Sequence, residues 1–472
     1  MASNSRIANL CARYGDKCAL LDEDGQLSFS ELYDSCIEIT KNMKTRSVVL
    51  VIATNTIECV VGYVGFVSQG IIPLMVSPSI GERALLELVD EYKPEYIWHN
   101  LDLAFDGSVA LSFRSYRLIE TGYDNGEKPY PDLAILLTTS GSTGSRKYVR
   151  ISYQNLESNA RAIAEYLHIS DADRAITTLP LSYSYGLSIV NSHLLSGASL
   201  VLTDRSLFDR KFWALLNDCG ASTFGGVPYT YEMLKKLHFD RMDLPSLKVI
   251  TQAGGRLGED LHREFARVCE KKGIAFVVMY GQTEATARLM YLPPKYASKK
   301  IGYIGVPIPG GNVELIDEFG EVVAGSYVPG ELVYSGSNVS LGYATSRKDL
   351  SLGDERRGRL ETGDMAIRDE DGFYRIVGRK KRFLKIFGNR VNLDEVESLL
   401  AKEGFVAACA GEDDHMVIYV EPSKQEDGAI RSLLSNRLGL YKGAFVIKRI
   451  DGLPRNDAGK VLYANLEECG NA

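Results

Sequence analysis

The sequence has no excess of positive charge. Lys and Arg number 54 against 61 Asp and Glu, a net charge of −7, which argues against nucleic acid as the main partner. A local basic patch could still bind an anionic nucleotide. Nor is there a cysteine framework. The eight cysteines, at 11, 18, 36, 59, 219, 269, 409 and 469, are scattered, with no C-x-x-C pair and no Cys/His cluster of zinc spacing. Free thiols in a reducing cytoplasm are the expected reading. The first fifteen residues lack a basic stretch followed by an apolar one, so no secretory leader is expected. No apolar run is long enough to cross a bilayer. The stretch 59–76 is broken by Gln69 and Gly70, with Pro73 just beyond, and reads as a buried helix followed by a buried strand, with no membrane span. Repeats and low-complexity segments are absent, as are the HRD and DFG signatures of protein kinases.

What is present describes a large globular protein. With 472 residues, 45% hydrophobic and 24% charged, two or three domains are expected. Strand-like runs at 47–54, 134–140, 175–181, 198–203 and 277–281 alternate with helical patterns. In the segment 153–167, Leu156, Ala160, Ile163, Ala164 and Leu167 share one face. This alternation predicts an α/β fold with buried strands. From Gly302 the texture changes to short strands and Gly-rich turns, predicting a β-rich subdomain over about 302–378. A large N-terminal domain, 1–378, is thus followed by a small α+β domain, 379–472. Near its start, residues 379–390 hold six basic residues and no acid, and the segment from Asn392 to Glu395 resembles a capping box opening a helix. A solvated face is the ordinary account of such a charge run; its place at a domain junction favours a functional interface.

The strongest local signal is the run Thr139, Ser140, Gly141, Ser142, Thr143, Gly144, Ser145, Arg146, Lys147, after an apolar strand and before a helix. Small residues let backbone N–H groups approach phosphate oxygens, hydroxyls add donors, and Lys147 adds charge. No Gly-Lys-Ser/Thr ends the loop, so it is not a Walker A motif.

Further motifs follow in order: Ala253-Gly254-Gly255, Tyr280-Gly281-Gln282-Thr283-Glu284, Glu361-Thr362-Gly363-Asp364, Gly378-Arg379, and a Pro454 to Lys460 loop. Together they resemble the adenylate-forming (AMP-binding) superfamily of acyl-CoA synthetases, nonribosomal peptide adenylation domains and luciferase. The resemblance extends from about Leu27 to Lys460. It implies that a carboxylic acid is activated by ATP as acyl-AMP and then passed to a thiol. The 139–147 loop would close over the β- and γ-phosphates, and Gly254 and Gly255 would let adenine lie against backbone while Tyr280 stacks on its other face. Thr283 would bond the α-phosphate, Glu284 would hold Mg²⁺, and Asp364 with Arg379 would take the ribose. Lys460 would bridge the carboxylate and the α-phosphate during adenylation. The small domain would then rotate about Lys381, withdrawing Lys460 and bringing in the strand of Lys385, a second-step residue, while Gly388 leaves room for a pantetheine arm.

Departures from the family pattern bear on the substrate. Residues 145–148 read Ser-Arg-Lys-Tyr where relatives commonly carry Pro-Lys-Gly, and 441–444 lack a common proline. Tyr183 stands where many acyl- and aryl-CoA synthetases have His. Ser184 falls where amino-acid-activating domains place the Asp that pairs with the ammonium. A neutral Ser leaves that charge uncompensated, so a non-amino acid is expected. Tyr183, Tyr185, Phe224 and Val227 are expected to line a largely apolar pocket. The acceptor is expected to be CoA. A freestanding ligase loading the phosphopantetheine of an acyl carrier protein, and an inactive nucleotide-binding relative, are the alternatives.

Overall fold

Strand Val48–Ile52 is buried at every position, and its side chains alternate between two cores. Val49 and Val51 enter one; Val48, Leu50 and Ile52 enter the other. That is the twofold repeat of a strand covered on both faces. The computed structural model describes residues 4–466 apart from 103–104, 125, 127, 139–146, 381, 387–388, 413, 423–425, 439, 442, 444 and 456–460. The described residues form two compact units: 4–138 with 147–312 and 335–360, and 313–334 with 361–466.

The larger unit holds two sheets. The first runs in the order Gly342–Ala344, Tyr148–Ser152, Leu133–Thr138, Ile72–Val76, Val48–Ile52, Tyr96–His99, Tyr116–Glu120, Ser108–Phe113. The second runs Val306–Pro307, Met290–Tyr291, Ala275–Tyr280, Val249–Gln252, Thr223–Gly226, Arg174–Ile176, Ser199–Val201, Cys18–Leu21, Gln26–Ser28. Both are parallel at the centre and antiparallel at the margins. One hydrophobic core joins strands of both sheets to four helices: Phe29–Thr40, Ile57–Ser68, Tyr153–Tyr166 and Ser184–Leu195. Helix Ile57–Ser68 is apolar nearly all round because it is buried nearly all round. No helix among the described residues is long and apolar enough to cross a membrane. Helix Tyr153–Tyr166 starts at a reciprocal cap, in which the Ser152 hydroxyl accepts from the Asn155 N–H and the Asn155 side chain accepts from the Ser152 N–H.

The expected strand over 175–181 is shorter, ending at Ile176. The chain turns there toward Pro180, which has no N–H to give a ladder. The β texture after Gly302 is present but shared among sheets. Val306–Pro307 extends the second large sheet and Gly342–Ala344 the first, while Asn312–Ile316, Gly330–Ser335, Arg359–Arg368 and Tyr374–Arg379 form a sheet of four.

In the smaller unit, the hairpin Phe383–Ile386 and Asn389–Asn392 leads into helix Leu393–Lys402. Asn392 caps that helix by accepting from the Asp394 N–H at 2.9 Å, and its amide donates to the Val377 carbonyl at 2.8 Å. Strands Ala407–Glu412, His415–Val420 and Phe445–Arg449 complete a sheet of three, with helix Asp427–Leu438 between the last two. Their core includes Leu384, Val396, Ile418, Ile430 and Leu434.

Candidate functional site

The carboxyl ends of two neighbouring parallel strands, Val249–Gln252 and Ala275–Tyr280, carry most of the described motif residues of the larger unit. Such ends are where open α/β sheets bind ligands. Gly254 has φ +85°, and a Cβ on it would meet the Tyr183 hydroxyl and Val227 Cγ1. Both conformation and space therefore demand glycine. The Gln252 amide holds the following turn through the Gly255 carbonyl at 3.0 Å. Beyond Tyr280, a Cβ on Gly281 would overlap the Ala287 carbonyl, because the chain folds back at once.

That fold-back is a strained γ-turn. The Ala287 N–H donates to the Ala285 carbonyl at 2.7 Å across Thr286, whose φ and ψ are 65° and −59°. A β-branched residue there is a genuine outlier, held by its surroundings. The Thr286 hydroxyl donates to the Asn338 carbonyl at 2.7 Å, and the Asn338 amide donates to the carbonyls of Ala285 at 3.0 Å and Arg288 at 2.8 Å. The turn fixes Thr283 and Glu284. Thr283 Oγ1 lies 3.1 Å from Ser184 Oγ. The Tyr343 hydroxyl donates to the Glu284 carboxylate at 2.7 Å, and the Ser340 N–H to the Glu284 carbonyl at 2.9 Å. The Arg356 guanidinium carbon lies 4.6 Å from the Tyr343 ring centre and Lys147 Nζ 6.0 Å from it. Tyr343 is in turn placed by Arg150, a fully buried residue whose Nε donates to the Tyr343 carbonyl at 2.9 Å. Arg288, Tyr343, Arg356 and the Thr286 turn escape sequence reasoning. Arg288 does lie four residues past Glu284, but Tyr343 is brought in by pairing with Tyr148–Ser152, and Arg356 by its bond to the Glu284 carbonyl at 3.4 Å, both far off in sequence.

The expected wall residues separate into two groups. Tyr183 and Val227 meet at Gly254, whereas Tyr185 and Phe224, each 1% exposed, line a cavity of about 370 Å³. The Tyr185 hydroxyl lies 2.7 Å from Thr251 Oγ1, and its ring faces the Arg288 guanidinium.

In the smaller unit, Asp364 is 5% exposed and pairs with Arg379 at 3.3 Å. Lys380 pairs with Glu331 at 2.6 Å, and Arg382 with Asp394 and Glu397, each at 2.6 Å. Three of the six cations of the 379–390 run, expected to form a functional interface, thus have carboxylate partners. The Arg382 guanidinium also stacks 3.9 Å from the Tyr463 ring centre. Lys385 lies on strand Phe383–Ile386. Thr139, Ser140, Gly141, Ser142, Thr143, Gly144, Lys381, Gly388 and Lys460 lie outside the described residues.

Among the described residues, no cluster of three or more His, Cys, Asp or Glu could hold a metal ion. A lone half-buried carboxylate, Glu284, fits a Mg²⁺ ion that takes its remaining ligands from phosphate and water.

Residues 7–344 match the model of a family described as AMP-binding enzyme. A feruloyl-CoA synthase from an Amycolatopsis species is 30% identical over 344 residues, covering 70% of this chain and 68% of that one. A 2-succinylbenzoate–CoA ligase from Geobacillus sp. (strain WCH70) is 27% identical over 482 residues, covering 96% of this chain and 94% of the other. The fold is similar to that of O-succinylbenzoate coenzyme A synthetase from Bacillus subtilis in complex with AMP, with TM-score 0.80 and 21% identity over 98% of this chain and 97% of that one. The same enzyme in complex with ATP and magnesium ion gives TM-score 0.78 at 22% identity, covering 98% of this chain and 98% of that one. The chain belongs to the AMP-binding enzyme family.

Proposed function

We propose that the chain is an AMP-forming acid–thiol ligase: it activates a non-amino carboxylic acid with ATP, releases pyrophosphate, and transfers the acyl group to CoA. The observation that carries this reading is the gathering of Gly254, Tyr280, Thr283 and Glu284 at adjacent parallel strand ends in the unit that holds an apolar cavity. The names of the relatives, all of them acid–CoA ligases, support CoA as acceptor.

In the first step a carboxylate oxygen attacks the α-phosphorus in line, and negative charge grows between two anions. Cations and oriented donors therefore supply most of the stabilisation. Thr283 donates toward the α-phosphate, Lys147 and Arg356 add positive charge on the Glu284 side, and Lys460 bridges the reacting oxygens. Glu284 would hold Mg²⁺, which when bound would supply positive charge to the phosphates. Gly254, Gly255 and Tyr280 hold the adenine, and Asp364 with Arg379 the ribose. Ser184, buried and facing Thr283, offers no charge to an α-ammonium, which supports a non-amino acid.

For the second step we assign the pivot to Lys381. The side chains on either side of it have different anchors: Arg379 and Lys380 pair with Asp364 and Glu331 of the four-stranded sheet, Arg382 with Asp394 and Glu397 of helix Leu393–Lys402. A swing must break two bonds that cross the pivot, from the Arg379 N–H to Asp394 at 3.1 Å and from the Asn392 amide to the Val377 carbonyl at 2.8 Å. The segment after the pivot swings as a body from Arg382 onward, carrying Lys385 in and Lys460 out. The seven described cysteines are free thiols, in keeping with a cytoplasmic setting. ATP–pyrophosphate exchange with a panel of carboxylic acids tests the first step. Thioester formation with free CoA against a holo acyl carrier protein tests the acceptor. Exchange with no acid, or transfer to the carrier protein alone, overturns the corresponding half.

A further inference from the structure

The cavity beside Tyr185 contains a charge that its apolar walls do not explain. Tyr166, Tyr185, Ile189, Phe224, Val277 and Met279 make it largely apolar, and Arg288 also lines it. The Arg288 side chain is 3% exposed. Its guanidinium carbon lies 3.9 Å from the Tyr185 ring centre, Nη1 donates to the Ala287 carbonyl at 3.1 Å, and Nε has no hydrogen-bond partner. No carboxylate pairs with it among the described residues. The acid that does reach the cavity, Asp173, is engaged by Lys248 at 3.5 Å and by the Ser170 and Ser222 hydroxyls. A stacked aromatic face offsets part of the cost of burying such a cation, but not that of the unpartnered Nε.

The residue is also held in place. The Asn338 and Asn159 amides both donate to its carbonyl, at 2.8 and 3.1 Å, directly after the strained turn at Thr286. A guanidinium on a fixed backbone, lining a cavity of about 370 Å³ and with its Nε unpartnered, is a preorganised receptor for a planar anion.

Building on the acid-activating function, we propose that the cavity receives an acid bearing a second anionic group, and that Arg288 pairs with that group. The class is a dicarboxylic acid, one carboxylate being adenylated while the other sits against Arg288 and Tyr185. Apolar walls then hold the carbon skeleton between the two charges.

The test compares matched substrates. Diacids of graded length, aliphatic and aryl, are measured against their half-methyl esters and the corresponding monoacids by ATP–pyrophosphate exchange. Wild type should favour a diacid over its half-ester by about tenfold or more in kcat/KM, as loss of a charge-assisted pair implies. Arg288→Met should abolish that preference while keeping turnover of the half-ester, and Arg288→Lys should restore part of it. Equal wild-type rates on diacid and half-ester overturn the proposal. So does an equal loss on both in Arg288→Met, which would place Arg288 at the reacting carboxylate. Melting-temperature shifts caused by the same acids without ATP separate the two readings. A diacid shift that disappears in Arg288→Met, without any exchange, upholds the receptor and overturns the activation. Absence of such a shift alongside exchange of monoacids does the reverse.

Discussion

The Tyr343 hydroxyl donates to the Glu284 carboxylate at 2.7 Å, joining a strand of the first large sheet to the turn that ends a strand of the second. If Glu284 holds Mg²⁺, this bond orients its carboxylate. Glu284→Gln should raise the Mg²⁺ concentration for half-maximal exchange by about tenfold. Tyr343→Phe should raise it by about threefold, the worth of one ordinary hydrogen bond. A Mg²⁺ titration unchanged in Glu284→Gln removes that residue as a metal ligand.

Asp364→Ala should weaken ATP binding through the lost bonds to the ribose hydroxyls, about 1.5–3 kcal/mol for each. Its loss also frees Arg379, which the carboxylate now pairs at 3.3 Å. Calorimetric ATP affinity close to wild type would count against the assignment.

The two half-reactions should separate genetically. Lys460→Ala should abolish adenylation while sparing thioester formation from synthetic acyl-AMP. Lys381→Pro fixes φ near about −65° and removes an N–H, so it should still exchange pyrophosphate yet form thioester far more slowly. Single-turnover assays of each step decide both, and equal loss of the two steps in either variant rejects its role.

Acid should destabilise the larger unit below about pH 6.5. Burial lowers the pKa values of His193 and His262 to about 4. His193 lies 2.9 Å from the Ile189 carbonyl and 3.0 Å from Thr223 Oγ1; His262 lies 3.0 Å from the Ala297 carbonyl and accepts from the Gly302 N–H at 3.2 Å. Asp173 near the first, and Glu259 with Arg263 near the second, are the charged groups they sense. Unfolded, each histidine binds a proton below its ordinary value of 6.5; folded, it does not until about 4. Stability is therefore full above pH 6.5 and falls as pH drops through that window, by up to about 3 kcal/mol for each group. Urea midpoints at pH 7.5 and 5.0 should show a smaller drop in His262→Gln than in wild type.

Much of this architecture could be read from the chain because its signals are local. The alternation of buried strands with amphipathic helices specifies the α/β class, and the Tyr280 to Glu284 motif marks a strand end. Features made by distant pairing could not be read. Tyr343 reaches Glu284 because Gly342–Ala344 adds to Tyr148–Ser152, and Arg356, 72 residues past Glu284, donates to its carbonyl at 3.4 Å. The run 379–390 reads as a basic interface because its own residues include no acid, and its carboxylate partners, Glu331 and Asp364 before it and Asp394 and Glu397 after it, are revealed only by the fold. Arg288 reads as an ordinary surface arginine until the cavity beside it is seen.

The turn at Thr286 sets stability against function in laboratory evolution. Glycine accepts φ +65° without the strain that threonine bears there. Selection for heat tolerance alone should therefore favour Thr286→Gly, at the loss of the hydroxyl bond to Asn338. Selection for turnover should reject it, because a relaxed turn no longer holds Thr283, Glu284 and Arg288 in one fixed arrangement.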